Sequence, residues 1–336
     1  MTAYKLLTKI MNVKEDETVV IYSDTASDME VVKATAGAAA ALGAIPIVLT
    51  TVTQPKVYGD YSKPIREAIK NADVVVEFGG KSDILYTSTY YEMRNAGRAR
   101  YTCLSALTTE TFLQVLGRID IDKTLQLGDK LVELTNRARK IRIRSAGGTD
   151  LVAEMGDRKA HQDGGIARKP GDVVMLPGQV GWCPMEETVN GTIAIDGEID
   201  RPRTVMPSVP IELTMKEGMI TDVKGGSEAE AYKRWLESFN HPNMYQIAHY
   251  TYGFNPGIID FLGNLTVDER QFGCFLFGFG HQGDITGGKG RPAPSHCDAV
   301  VRNPSVWLDD LQIEKDGKWI HPDLVRVTQE MKVPGY

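Results

Sequence analysis

The chain has only four cysteines in 336 residues, Cys103, Cys183, Cys274 and Cys297, and no two of them form a C-x-x-C pair. A zinc knuckle and a disulfide framework are excluded, and the thiols read as reduced and mostly buried. Positive charge is scarce as well: 38 Lys and Arg stand against 44 Asp and Glu, for a net charge of -6. No global positive field gathers phosphate backbones, so no nucleic-acid partner is expected. Long apolar runs are missing too. The longest nearly apolar stretch, residues 36–49, is broken by Pro46 and falls short of the roughly 20 residues a membrane span needs. The opening MTAYKLLTKIMNVKEDE mixes charge with apolar residues and offers no signal-peptide apolar block, which makes the cytoplasm the expected address.

Two domains are expected. From Glu17 to Thr50 an apolar run (TVVIYS), an Ala-rich helical stretch (DMEVVKATAGAAAALG) and a second apolar run (AIPIVLT) form one β-α-β unit. DVVVEFGG supplies a third buried strand, and the segment from Tyr86 to Leu104 continues the alternation, so the first part reads as an α/β doubly wound parallel sheet. The loop after the first strand is SDTASD, without the G-x-G-x-x-G that brings a backbone against a pyrophosphate. The amphipathic stretch Asp122 to Lys140 predicts a helix bridging the two domains, its apolar face also suggesting a homo-oligomer. Beyond Arg142 the pattern changes to short strands (KIRIRS, DLVAEM, DVVMLPG, NGTIAIDG, PIELTMKEGMITDVKG) separated by Gly, Asp and Pro turns, interrupted by one helix from Ser227 to Phe239. The expectation is a Rossmann-like α/β domain over residues 1–141 and a catalytic α+β domain over 142–336, its sheet mainly antiparallel and barrel-like.

All six histidines (His161, His241, His249, His281, His296 and His321) follow residue 160. Metal ligation and proton transfer near neutral pH therefore belong to the second domain. The most specific local feature is Ser295-His296-Cys297-Asp298 before the apolar Ala299-Val300-Val301. On a strand, residues two apart share a face, so His296 and Asp298 point together. Either Asp298 orients a buried His296, or the two ligate a metal. His249, in the strand-like AHYTYG before Asn255-Pro256-Gly257, is either a core histidine or the third member of a 2-His-1-carboxylate set, which leaves open positions on an octahedral metal such as Fe(II). Pro184-Met185-Glu186-Glu187-Thr188 is either a solvated acidic turn or lends one glutamate at most to a site, because neighbours on an extended segment face opposite sides. His161, in DRKAHQDGGIARKPGD, is an exposed loop residue or an acid-base group. The Gly-rich stretch from Gly278 to Gly290 allows close packing or a lid.

The order of these motifs resembles that of a known superfamily. Gly178 to Gly181, P-x-x-E (Pro184 to Glu187), N-G-T (Asn190 to Thr192), G-x-N-P (Gly253 to Pro256), D-E-R (Asp268 to Arg270), Gly287-Gly288 and H-x-D are similar to those of the aminopeptidase T/aminopeptidase S-like metalloproteins, most strongly over residues 145–302. In the peptidase members a glutamate precedes G-x-N-P and a histidine follows D-E-R. Here those positions are His249 and the ligand-free stretch Gly273 to Gly278. The altered set resembles the 2,5-dihydroxypyridine 5,6-dioxygenase-like branch. That resemblance implies a single Fe(II) held by His249, His296 and Asp298, a small cyclic hydroxylated substrate and O2 beside it, and ring opening between carbons 5 and 6. His161 would shuttle the phenolic proton. The branch can also use a histidine from the first domain, and residues 1–160 here contain none; the comparable segment is Tyr101-Thr102-Cys103-Leu104-Ser105, with Tyr86, Tyr90 and Tyr91 just upstream, to contact a ring or simply to pack.

The leading expectation is thus a mononuclear metal-dependent ring-opening dioxygenase. One rival keeps the metal, as Mn(II) or Zn(II), and activates a water with Glu187 or His161 as base, giving a hydrolase of a cyclic ketone or an amide. The other is a non-catalytic binding protein in which the same side chains form only a hydrogen-bond network.

Overall fold

A computed structural model describes residues 1–53, 61–283 and 286–336. The chain packs as two units, one of residues 1–121 and 163–177, the other of 122–162 and 178–336.

In the first unit, β-branched runs form the strands Thr18–Asp24, Ile45–Thr51, Val74–Glu77 and Arg100–Cys103, and Val173–Val174 adds a fifth. All pair in parallel, with Ile45–Thr51 at one edge, then Thr18–Asp24, Val74–Glu77, Arg100–Cys103 and Val173–Val174. The helices Met29–Ala41, Lys63–Asn71 and Ser88–Ala96 alternate with them, the first and third as the sequence pattern predicts. Asp28 caps the first of these helices, its side chain accepting from the Glu30 amide. The sheet order reverses between Thr18–Asp24 and Val74–Glu77, where doubly wound folds commonly take a ligand. Here Asp24 occupies the strand end. Its carboxylate accepts the backbone N–H groups of Ala26, Gly80, Lys81 and Ser82 at 2.8–3.1 Å. Burial raises its pKa, but these donors outweigh that and lower it. Tyr90 packs edge-on against Tyr86, Tyr91 and Tyr101; Tyr90 and Tyr101 are buried in the core of this unit, whereas Tyr86 and Tyr91 are exposed.

The second unit contains two antiparallel sheets. Eight strands run in the order Met219–Lys224, Ile211–Lys216, Asn190–Ile195, Asp150–Glu154, Lys140–Arg144, Ser305–Leu308, Leu311–Lys315 and Lys318–Trp319. Five run in the order His296–Val301, Cys274–Gly280, Ile247–Gly253, Gln179–Trp182 and His161–Gln162. Among the described residues both orders are linear. Side chains of the two sheets share one apolar core, Ile143, Leu151, Ile193 and Leu213 from the larger and Trp182, Tyr250, Tyr252, Phe275 and Phe277 from the smaller. The aromatic rings meet mostly edge to face, as Tyr250 and Phe277 do at 5.1 Å.

Two segments lie elsewhere than a break at residues 141/142 implies. The helix Ile121–Arg137 buries Leu127 and Leu131 in the second unit's own core, so its apolar face is covered within the chain and gives no argument for a subunit contact. Within DVVMLPG, Val173 and Val174 pair with Tyr101 and Thr102 in parallel, which a run of apolar residues does not distinguish from an antiparallel strand. The four thiols are free and buried. No helix among the described residues is long and apolar enough to cross a membrane.

Candidate metal centre

The five-stranded sheet sorts its residues by parity. Tyr250, Tyr252, Phe275, Phe277, Phe279, Cys297, Ala299 and Val301 face the shared core, so His249, Thr251, His296 and Asp298 lie on the opposite face. Three adjacent strands then set the row: His249 pairs with Gly278, Gly278 with Asp298, and Gly280 with His296. His249 Nε2 lies 3.2 Å from His296 Nε2 and 3.2 Å from Asp298 Oδ1. His296 Nε2 to Asp298 Oδ1 is again 3.2 Å. The two imidazoles are nearly parallel, 11° apart. The three side chains are 17%, 30% and 18% exposed, open enough for a small molecule to reach.

Neighbouring groups orient the rings. His296 Nδ1 donates to the His281 carbonyl at 2.7 Å, and His249 Nδ1 is 3.2 Å from Thr251 Oγ1. Each contact turns the ring's Nε2 towards the common point. The Asp298 amide donates to Asp200 Oδ1 at 3.0 Å, and Asp200 is itself paired with Arg201 at 2.7 Å. Burial opposes the charge on His296, yet the adjacent Asp298 carboxylate pushes its pKa up to about 9. Burial likewise opposes ionisation of Asp298, and the His296 charge more than compensates, holding its pKa well below the usual range. An octahedral ion with ligands at about 2.1 Å spaces adjacent donors by about 3.0 Å, and a tetrahedral one by about 3.4 Å. The 3.2 Å triangle lies between these values, so the donor set fits one ion. Among the described residues this is the group of three or more His, Cys, Asp or Glu side chains that can hold a metal.

The other expected residues fall elsewhere. Glu187, the candidate base, is 48% exposed and bonded to Lys289 and to Arg291 Nη2, the latter at 2.6 Å. The Lys289 hydrogen bond, with Arg291 helping, holds its pKa down to about 2, a poor value for a base near neutrality. Glu186 is the buried one. It accepts from Arg158 at 2.7 Å, Gln282 at 3.1 Å and the Lys289 amide at 2.9 Å. Gln282 also donates to the carbonyl of Ala248, the residue before His249. His161 opens the edge strand His161–Gln162 rather than sitting in a loop. It pairs with Gly181, which pairs with Thr251, so His161 occupies the same sheet face as His249. In the Gly278–Gly290 stretch, residues 278–280 belong to a strand, and residues 284 and 285 lie outside the described residues. Sequence reasoning missed Thr251, Gly278 and the His281 carbonyl. The available signal was parity, since Thr251 stands two residues from His249, and a glycine inside the apolar strand CFLFGFG.

Residues 1–321 match the family described as 2,5-dihydroxypyridine 5,6-dioxygenase (NicX). The chain belongs to this family. A curated relative, the 2,5-dihydroxypyridine 5,6-dioxygenase of Pseudomonas putida KT2440, is 33% identical over 200 residues, which is 56% of this chain. That alignment spans 57% of the relative's own length. The solved structure of 2,5-dihydroxypyridine dioxygenase from Pseudomonas putida KT2440 superposes with a TM-score of 0.78 at 25% identity, covering 96% of this chain and 97% of that one. Wild-type AmpT from Thermus thermophilus shares the fold, with a TM-score of 0.69 at 14% identity over 95% of this chain and 98% of that one.

Proposed function

We propose that this chain is a non-haem, metal-dependent ring-opening dioxygenase acting on 2,5-dihydroxypyridine or a close hydroxylated analogue. His249, His296 and Asp298 would hold a single Fe(II). The observation that carries this reading is the 3.2 Å triangle of two imidazole nitrogens and one carboxylate oxygen in a chain of the NicX family. A bound ion would supply Lewis acidity and a common site for ring and oxygen. The rest falls to the chain itself. Thr251 and His281 hold the two imidazoles with Nε2 facing inward. Three ligands on one side leave the other side for substrates, so proximity replaces a chance encounter. The opposite face of the same sheet is packed aromatic core, which keeps the ligand strands rigid. His161, on the site face, takes up the proton of a ring hydroxyl.

The test is turnover of 2,5-dihydroxypyridine by protein reconstituted anaerobically with Fe(II), measured with and without O2. One O2 consumed per ring opened supports the proposal. Ring opening at the same rate without O2 would instead establish a metal-dependent hydrolase.

A further inference from the structure

We propose that Gly278 is a positioning residue of the metal centre: the side chain it lacks is the space in which the His249 imidazole lies to reach His296 and Asp298. This rests on the reading of those three residues as one metal site. Neighbouring strands stand about 4.8 Å apart. His249 and Asp298 are on two strands separated by a third, and the residue between them in the row is Gly278. Any side chain there would stand between the two ligands. A Cβ on Gly278 would lie 2.3 Å from both Cδ2 and Nε2 of His249 and 2.9 Å from Cε1, distances that packed atoms do not adopt. The ring would have to turn away, and its Nε2 would leave the triangle.

No backbone requirement explains this glycine. Gly280, two residues on, has φ +84°, in the left-handed region that favours glycine, whereas Gly278 is not among the positive-φ glycines. It lies in a fully buried strand between Phe277 and Phe279, where glycine loses conformational entropy on folding and contributes no packing. Local sequence preference is therefore violated at a position whose side chain would displace a ligand. Such violations gather at functional sites.

The experiment compares wild type, Gly278→Ala, His249→Ala and the double variant, all prepared metal-free. Thermal unfolding reports the fold, and anaerobic titration with Fe(II) and with Co(II), followed by the Co(II) visible spectrum, reports the site. Gly278→Ala is expected to unfold at or above the wild-type temperature yet bind either ion at least tenfold more weakly, with an altered Co(II) spectrum. Adding Gly278→Ala to His249→Ala is expected to weaken binding no further, because the ring it displaces is already gone. If Gly278→Ala is itself unfolded by the clash, the double variant is expected to regain the fold. Wild-type affinity and spectrum in Gly278→Ala would overturn the inference, as would a further tenfold loss, or no recovery of the fold, in the double variant. Equal binding by wild type and His249→Ala would overturn the reading of the site itself, a result distinguishable from the others.

Discussion

Glu186 and Glu187 are neighbours in the chain with opposite environments: Glu186 is buried against Arg158, Gln282 and the Lys289 amide, while Glu187 is half-exposed against Lys289 and Arg291. Removing Glu186 leaves Arg158, itself 12% exposed, with only weaker compensation from the solvent-exposed Asp157 carboxylate at 4.0 Å and the Gly287 carbonyl. Glu186→Ala is expected to destabilise the fold by about 3 kcal/mol. Glu187→Ala is expected to cost no more than about 1 kcal/mol and to leave turnover close to wild type. Denaturant unfolding and steady-state kinetics of the two variants check both statements.

Glu77 gives a pH dependence of stability. Burial, reinforced by Asp83, pushes its pKa from 4.5 up to about 8. Its oxygens still accept from the Ile84 amide and the Tyr101 hydroxyl. The folded state thus binds this proton more tightly than the unfolded state, so Glu77's contribution to stability falls as pH rises from about 4.5 to about 8 and is level above that. Glu77→Gln, which keeps the shape and loses the titration, is expected to reduce the slope by up to about 1.4 kcal/mol per pH unit. Urea unfolding between pH 5 and 8 measures it; an unchanged slope would contradict the assignment.

Thr251 provides a second check on the site. It is 2% exposed, and valine has nearly its shape, so Thr251→Val is expected to fold normally. It removes the Oγ1 partner of His249 Nδ1, and metal affinity is expected to fall by roughly tenfold or more. Titration of the metal-free variant with Fe(II) under anaerobic conditions reads this directly.

His161→Asn is expected to lower turnover by roughly a hundredfold while leaving metal content at the wild-type level. Metal analysis beside the kinetics separates the two effects. Loss of metal together with activity would make His161 a ligand and not a proton carrier.

Much of this was legible in the chain because parity is a hard constraint. His296 and Asp298 stand two apart on a strand and had to share a face, and the parallel sheet of the first unit followed from short β-branched runs alternating with helical stretches. Partners far apart in the chain were harder to see. Nothing local tells that Val173–Val174 joins Arg100–Cys103, about 70 residues earlier. Likewise the adjacency of Glu186 and Glu187 hid which one is buried, since Arg158, Gln282 and Lys289 come from separate segments. Gly278 was readable only as one glycine among 33 until the register placed it between His249 and Asp298.

The most direct measurement is the iron content of protein reconstituted anaerobically and freed of excess metal, for wild type and for His249→Ala, His296→Ala and Asp298→Ala. One tightly held Fe(II) per wild-type chain and none in any folded variant is the predicted result. Stoichiometric iron in any one of the three variants would contradict it.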